Sequence, residues 1–258
     1  MQALEVAAGV GSVLRRHGLV YGRHWRHSLV TTFAEPLLYL LSFGLGMSAV
    51  VRQVVVGGVG VDYRAFVFAG IVAQSVLYQG FFSAAYGGYA RMHQQRIYLA
   101  ILTTPVTLRE LLGAELLWNA LRGTLAAAAI LLIGTLAGDF RPWGALAALP
   151  LAFTGALLFS GLGLCIAALA RNFNDLSNAQ FYVVFPSFLL AGVLFPLDAL
   201  PSAARACAWL LPLTPVLDLL RALLLGTPPA PAAALALLAW VAFAVWAAER
   251  TATRRLVK

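Results

Sequence analysis

Charged side chains are scarce in this chain of 258 residues: 11% are Asp, Glu, Lys or Arg, while 61% are hydrophobic. That polar fraction is too small to coat a soluble globule of this length. Lysine is nearly absent, because Lys258 is the only one, so the chain holds no phosphate-binding loop of the form GxxxxGKS or GxxxxGKT. The GxSxG and HExxH motifs and the close Cys and His spacings of metal sites are missing too. The sequence therefore predicts a protein that is not an enzyme, with no catalytic residues, no metal site and no cofactor of its own.

Long apolar runs are present instead, and the mean hydropathy is +0.84. A helix needs about 20 mostly apolar residues to cross about 30 Å of hydrocarbon. Windows of that length are predicted to span a membrane at 29–51, 65–89, 108–136, 143–170, 177–195 and 231–248. These runs are continuously apolar, whereas the strands of a membrane barrel alternate apolar and polar residues. The predicted fold class is therefore an all-α polytopic membrane protein with six transmembrane helices.

The arginines predict the orientation of these spans, because cytoplasmic loops are enriched in Arg and Lys. One side carries the larger set: Arg15, Arg16, Arg23, Arg26, Arg91, Arg96, Arg171, Arg250, Arg254, Arg255 and Lys258. The other side carries Arg52, Arg64, Arg141 and Arg205. Both termini are therefore predicted in the cytoplasm. The net charge of +8 is interpreted as this orientation signal, and no nucleic-acid partner is predicted because no soluble basic domain would carry it.

Residues 1–28 are predicted to form an amphipathic helix in the cytoplasmic membrane interface. Apolar residues recur there at helical spacing, and arginines supply the opposite face. The apolar set is Val6, Val10, Val13, Leu14, Val20 and Tyr21. A solvated basic tail is the alternative. The segment also holds His17, His24 and His27, for which polar contacts at the interface are favoured over a metal site because no cysteine or carboxylate cluster is nearby.

Residues 196–228 are apolar, but prolines interrupt them repeatedly. The prolines of this region are Pro196, Pro201, Pro212, Pro215, Pro228 and the adjacent Pro229. A straight helix cannot run through them, and broken helices at membrane depth need protein or a water-filled cavity around them. The sequence therefore predicts two short helices that re-enter from the external face before the sixth span. The charged residues of this external re-entrant segment are Asp198, Arg205, Asp218 and Arg221, and the last two have the spacing of a pair on one helix.

Ionisable residues inside predicted spans are costly and therefore informative. Glu35 lies in the first span, and Glu115, Asn119 and Arg122 lie on one helical face of the third. For the set in the third span, a structural role in pairing between helices near the cytoplasmic leaflet is favoured. A proton or substrate site is the alternative.

Local signals also predict where helices begin and how they pack. Thr107 with Glu110 has capping-box spacing at the start of the third span, and Ser177 with Gln180 repeats it in the fifth. Ala152, Ala156 and Ser160 place small residues every four positions on the fourth span. That pattern predicts a seam of close contact between helices.

The insert 91–106, between the second and third predicted spans, is basic and amphipathic. A short predicted helix there has an apolar face, Ile97, Tyr98, Ile101 and Leu102, and a polar face, Gln94 and Gln95. Pro105 is predicted to end this helix before Thr107 begins the next one. An apolar ridge of this kind fits either lipid or a groove on a soluble partner, and spacing alone leaves both open.

Several ordered segments of the chain resemble one known family. "EPLLYLLSFGLGM" resembles its first span, "ARMHQQRIYLAIL" with "TPVTLRELLGAELLW" its cytoplasmic insert and third span, and "AGVLFPLDALP" with "LPLTPVLDLLRALLLG" its external signature. The family is that of the permease subunits of ABC-2 type exporters, in the NodJ-like branch. The resemblance covers nearly the whole chain, so it is far more specific than a single short motif.

The resemblance implies that the insert is a coupling helix, which docks in a groove of a separate ATP-binding subunit. The partner-docking residues would then be Arg91, Gln94, Gln95, Arg96, Tyr98, Ile101 and Leu102. ATP and magnesium would bind to that partner, and two partner copies would assemble with two permease copies, expected as a homodimer. One position departs from the family's pattern, because relatives often carry a glutamate beside the aromatic residue of the insert, where this chain has Leu99. Compensation is expected from Arg96, Gln95 or Arg109.

The predicted function is therefore a multi-pass permease of the bacterial inner membrane, with residues 1–258 forming one transmembrane domain in the lipid bilayer. It would move an amphipathic or hydrophobic substrate, such as a lipid-linked saccharide, a lipid or a drug, outward with a partner's ATP. The alternative is a secondary transporter driven by an ion gradient. That alternative predicts transport that survives loss of the ATPase and stops when the gradient collapses.

Overall fold

The computed structural model describes residues 2–23 and 38–256. The helices are α1 (Gln2–Arg23), α2 (Tyr63–Tyr89), α3 (Ile97–Leu102), α4 (Leu108–Leu136), α5 (Pro142–Leu169), α6 (Phe173–Ala179), α7 (Phe185–Leu190), α8 (Ser202–Trp209), α9 (Leu213–Leu225) and α10 (Ala233–Leu256). The strands are β1 (Gln53–Val56) and β2 (Val59–Asp62). The π-helical turns are Leu40–Gly46, Ala90–Gln94 and Gln180–Val184, and the 3₁₀ turns are Met47–Ala49 and Leu197–Ala199.

Four helical stretches in the described part of the chain are long and apolar enough to cross a membrane: Tyr63–Gln94, Leu108–Leu136, Pro142–Leu169 and Ala233–Arg255. They correspond to the second, third, fourth and sixth predicted spans, and the bounds of the third agree with the prediction at both ends. The first predicted span begins at residue 29, and its part up to residue 37 lies outside the described residues. The chain is thus helical and polytopic, as predicted.

The fifth predicted span differs from the prediction in where it begins and ends. Its helical stretch starts at Phe173, passes through the π-helical turn Gln180–Val184 and ends at Leu190. The side chain of Asn172 caps it by accepting a hydrogen bond from the backbone N–H of Asp175. The predicted capping box at Ser177 is therefore wrong, since the Ser177 hydroxyl lies inside α6 and donates to the carbonyl of Phe173.

A short β-hairpin precedes α2, where the sequence predicted no strand. β1 and β2 pair antiparallel with Val56 opposite Val59. The two residues between them, Gly57 and Gly58, both have positive φ, 55° and 81°. A two-residue turn with positive φ at both positions follows the twist of a hairpin, and glycine adopts it without a steric penalty. The run "VVVGGVGVD" carried this signal inside an otherwise apolar region.

The core of the bundle is the packing of α2 against α5, with α4 touching both and α10 covering α5. Small residues allow the close approach: a Cβ built on Gly123 of α4 would lie 2.7 Å from the Cβ of Ala156 on α5, and one built on Gly80 of α2 would lie 2.9 Å from the Ala156 carbonyl oxygen. Ala152, Ala156 and Ser160 are fully buried. The predicted seam on the fourth span is confirmed.

The proline-rich segment forms two helices, α8 and α9, bent by 93° at a short break. Arg205 of α8 contacts Asp198, which precedes that helix. Its Nη1 lies 3.4 Å from a carboxylate oxygen of Asp198, and its Nη2 donates a hydrogen bond to the Asp198 carbonyl. The backbone N–H of Gly57 in the hairpin turn donates to the other Asp198 oxygen at 3.3 Å. Asp198 therefore joins this segment to the hairpin.

Asp218 and Arg221 of α9 form no direct ion pair, which corrects the pairing that their spacing indicated. Asp218 accepts a hydrogen bond from the backbone N–H of Ala230 at 2.8 Å. Arg221 is buried, donates to the carbonyl of Gly192 at 2.7 Å and stacks on the ring of Phe66 at 3.7 Å. Arg221 thus fixes the turn after α7 against α2.

Candidate functional site

The predicted insert 91–106 is not a single helix. α2 continues through the π-helical turn Ala90–Gln94, and the chain then turns at Arg96, whose φ is 51°. A left-handed backbone is uncommon at residues other than glycine, and here it separates α3 from the end of α2. α3 ends at Leu102, before Pro105, as predicted. Arg91 and Gln94 therefore belong to the long helical stretch, and the separate short helix is Ile97–Leu102.

The two faces of α3 are oriented differently from the sequence prediction. Tyr98 is 0% exposed, and Ile101 and Leu102 are half-buried against an apolar cluster of the permease itself. Leu99, by contrast, is 46% exposed, and Ala100 is exposed beside it. The predicted outward ridge of Tyr98, Ile101 and Leu102 therefore packs inward.

The outward face lies on the other side of this short helix. Its exposed members at the turn and on the helix are Gln94, Gln95, Arg96, Leu99 and Ala100. It combines one large exposed apolar side chain with a cation and two amides.

Arg91 points into the bundle and binds Glu115 of α4. Its Nε donates to Oε1 at 2.9 Å and its Nη2 donates to Oε2 at 2.6 Å. The Glu115 side chain is 1% exposed and that of Arg91 is 18% exposed. Two parallel hydrogen bonds between a guanidinium and a carboxylate fix both side chains in direction as well as distance. The pairing between helices predicted for Glu115 is present, with Arg91 as its partner.

His17 of α1 lies at the same carboxylate. Its Nε2 is 3.1 Å from Oε1 of Glu115, and its ring stacks on Trp118 with centroids 5.5 Å apart. The polar contact expected for this histidine at the membrane interface is instead a buried contact with another helix. His17 follows Val13 by four positions, so it lies in the apolar stripe of α1, and a histidine in a buried stripe signals a polar partner.

The other two polar residues of the predicted third span extend this contact region along α4. Asn119 donates a hydrogen bond to the carbonyl of Glu115 at 2.8 Å and accepts one from the hydroxyl of Ser83 on α2 at 2.9 Å. Arg122, one turn further, lies over the ring of Tyr21 at 5.6 Å. The face shared by Glu115, Asn119 and Arg122 therefore contacts both α1 and α2.

Tyr98 is the buried anchor of α3 and lies beside the Arg91 and Glu115 pair. Burial raises the pKa of its hydroxyl well above the usual range. The hydroxyl therefore stays protonated, and the ring occupies the space between α3 and the pair as a neutral group. A docking role for Tyr98 on the surface is excluded by this position.

A capping box begins α4. The backbone N–H of Thr107 donates to a carboxylate oxygen of Glu110 at 2.7 Å, and the N–H of Glu110 donates to the Thr107 hydroxyl at 3.4 Å. The predicted box is confirmed. α3 ends at Leu102 and α4 begins at Leu108, so this cap sets where the second helix starts after the short connection.

Removing the Thr107 hydroxyl should weaken the start of α4. We expect Thr107→Val to lower the free energy of unfolding by about 1 kcal/mol, because the helix loses one satisfied backbone donor at its start. The thermal unfolding midpoint in lipid nanodiscs measures the effect. Thr253→Val is the matched control, since the Thr253 hydroxyl donates to the Glu249 carbonyl near the end of α10 and caps no helix start. An equal loss in both variants would contradict a special role for the cap.

Some predicted residues lie outside the described part of the chain: Glu35, His24 and His27. Within the described residues, no group of three or more His, Cys, Asp or Glu side chains has the geometry to hold a metal ion. Sequence reasoning did not identify the outward position of Ala100 or the junction of His17 with Glu115, because each depends on which side of a helix meets its neighbour.

Comparison with known proteins gives a consistent picture. Residues 9–225 match the family described as ABC-2 type transporter. The chain is 34% identical over 217 residues to "Nodulation protein J" of Rhizobium leguminosarum bv. trifolii, covering 84% of this chain and 81% of that protein. It is likewise 34% identical over 217 residues to the protein of the same name from Rhizobium meliloti (strain 1021), with the same coverage. "Inner membrane transport permease YadH" of Escherichia coli (strain K12) is 25% identical over 211 residues, covering 81% of this chain and 80% of that protein.

Proposed function

Because the chain belongs to the ABC-2 type transporter family, as a membrane subunit of an ABC transporter, we propose that it is the permease of an ATP-driven exporter. The observation that carries the proposal is the family match over residues 9–225, which includes α3 and both helices that flank it. The proposed substrate is amphipathic or hydrophobic: a lipid-linked saccharide, a lipid or a drug. The proposed direction is outward across the bacterial inner membrane. The name of the Escherichia coli relative, an inner membrane transport permease, supports that location.

The proposed partner is an ABC ATP-binding subunit that docks on the outward face of α3. The exposed Arg96, Leu99 and Ala100 support this, because they offer a short helical surface that a groove can enclose. ATP and magnesium would bind to that partner, since this chain has no phosphate-binding loop. α3 is thus proposed as the coupling helix, with a smaller and differently facing set of docking residues than the sequence indicated.

The proposed assembly contains two permease copies and two ATP-binding subunits. Closed twofold symmetry is the commonest arrangement of identical subunits, and it would place one α3 on each ATP-binding subunit. The substrate path would then run between the two permeases. A homodimer is proposed on this ground.

The proposed topology has six spans in one domain covering residues 1–258, with both termini and α3 in the cytoplasm. Four described helices have the length and apolarity to span, and α8 with α9 would be the external re-entrant pair. α1 would lie in the cytoplasmic interface, which its surface supports: Leu19 is 64% exposed, and Arg15 and Arg23 are exposed on the same side of the helix. An apolar residue flanked by cations suits the boundary between lipid and headgroups.

A secondary transporter driven by an ion gradient is the rival function. Such a protein needs an ionisable group that exchanges protons or ions near mid-membrane. Glu115 is a poor candidate because its carboxylate is 1% exposed and binds Arg91 through two hydrogen bonds. The described spans thus offer less support for this rival than for a permease that uses a partner's ATP.

Reconstitution tests the two functions directly. The chain is inserted in proteoliposomes with a candidate ATP-binding subunit, and a lipophilic dye and a fluorescent lipid-linked saccharide serve as transport probes. We expect the partner to bind, its ATPase rate to change on assembly, and at least one probe to move outward only with ATP. Movement that persists with an ATPase-inactive partner and stops when the ion gradient is collapsed would establish the secondary transporter instead.

A further inference from the structure

We propose that Glu115 is a positioning residue that, with Arg91 and His17, links the coupling helix α3 to the membrane bundle. These three residues are called the polar junction below. The inference rests on the proposed function, because it describes how closure of a docked ATP-binding subunit reaches the spans. It assigns no contact with substrate or nucleotide to these residues.

The polar junction lies where four elements meet. His17 comes from α1, Arg91 from the end of the long stretch Tyr63–Gln94, and Glu115 from α4. The Glu115 carboxylate receives two hydrogen bonds from Arg91 and a 3.1 Å contact from His17. The fourth element is α3, whose fully buried Tyr98 lies beside the pair. A single carboxylate therefore connects the interfacial helix, two candidate spans and the coupling helix.

Stability alone does not account for this arrangement. Burying an ion pair costs desolvation energy that its attraction only partly returns, and apolar residues of similar volume are often as stabilising. What the pair adds is directional: two parallel hydrogen bonds hold α2 and α4 at a fixed distance and angle. A rigid connection of this kind is useful where a displacement has to be passed on.

Tyr98 gives the displacement a path into the junction. It is the one fully buried side chain of α3, while Leu99 and Ala100 on the opposite side face the proposed partner. Protein interiors are close-packed, so a shift of α3 presses Tyr98 against Arg91 and Glu115. One turn further along α4, Asn119 bonds to the Glu115 carbonyl and to Ser83 of α2. The same displacement therefore reaches both long helices together.

Hydrogen exchange of the assembled complex tests this path without knowledge of the substrate. Exchange is measured in nanodiscs with and without ATP and vanadate at two places. One is α3, which follows the end of α2, and the other is the hairpin 53–62, which precedes the start of α2. The test variant replaces both charges of the pair with apolar residues of similar size, Arg91→Met with Glu115→Leu, so that neither Arg91 nor Glu115 is left buried without the other. Glu115→Gln keeps the shape of the side chain but removes its charge and one of the two oxygens that accept from Arg91, and it provides a second comparison if the double variant does not assemble.

In the native complex we expect nucleotide to change exchange at both places. In the double variant the change at α3 should persist, while the change at the hairpin should fall by about fivefold or more, the lower end of common coupling factors. A hairpin response equal to that of the native complex would overturn the inference, and so would a native complex that responds at α3 and not at the hairpin. Failure of the native chain to bind the ATP-binding subunit would instead overturn the proposed function.

Discussion

Adding one methyl group at Gly163 is expected to destabilise the folded permease by about 3 kcal/mol or more, the upper range for overpacked cores. A Cβ built on Gly163 of α5 would lie 2.6 Å from the carbonyl oxygen of Phe81 and 3.0 Å from the backbone nitrogen of Ala85, both on α2. Backbone atoms inside a helix cannot rotate away as a side chain can. α2 and α5 would therefore have to separate along their shared contact, which is the core of the bundle.

Gly113→Ala is the matched control for Gly163→Ala. Gly113 lies in the interior of α4, and a Cβ built there has no neighbouring atom within 4 Å. The same change should be neutral or stabilise the protein by up to about 1 kcal/mol, because alanine favours the helix. Thermal unfolding in nanodiscs, followed by tryptophan fluorescence, compares the two variants. Equal unfolding midpoints would show that the α2 and α5 contact is looser than the structure indicates.

Placing a large side chain on the outward face of α3 should prevent the ATP-binding subunit from docking. Ala100 is exposed, so Ala100→Trp leaves the permease's own packing intact while filling the space that a groove would need. We expect at least about 30-fold weaker binding, or about 2 kcal/mol, the size of an interface hot spot. ATPase activity that depends on assembly should be lost with it. Binding measured by co-purification and by titration in nanodiscs gives the result.

Ala203→Trp is the control for the docking variant. Ala203 is also an exposed helical alanine, but it lies on α8. That helix belongs to the segment that Asp198 joins to the hairpin before α2, whereas α3 follows the opposite end of α2.

Leu102 is a poor test position, because it is half-buried in the permease's own apolar cluster. A charge there would damage the permease with or without a partner. Native binding by Ala100→Trp would remove α3 as the docking surface.

The sequence predicted most of the long helices because length and apolarity are local properties. The run 108–136 shows this best: it is bounded by a capping box at Thr107, and the structure reproduces both ends. The fifth span was harder, since its helix begins with the polar residues that follow Asn172 and contains a π-helical turn. The hairpin was missed because two glycines inside an apolar run are compatible with a membrane helix as well as with a turn.

The candidate site was only partly predictable. The sequence located a short helix between two spans and a polar face on α4, and both are present. The family resemblance placed Arg91 and Tyr98 among the docking residues. Periodicity could not correct this for Tyr98, because the 3.6-residue period of a six-residue helix identifies faces without saying which one meets the protein. The left-handed turn at Arg96 rotates α3 relative to α2, and periodicity carries no information about that rotation.

The sequence by itself determined the class of the protein, a helical membrane permease. It also located a capping box, a seam of small residues and a segment broken by prolines. These follow from composition and from contacts within a few residues along the chain. Only the tertiary structure decided which side chains of those elements meet. Residues 17, 91, 98 and 115 come together because α1, the end of α2, α3 and α4 pack at one point, and contacts between residues so far apart in sequence depend on how the helices are arranged in space.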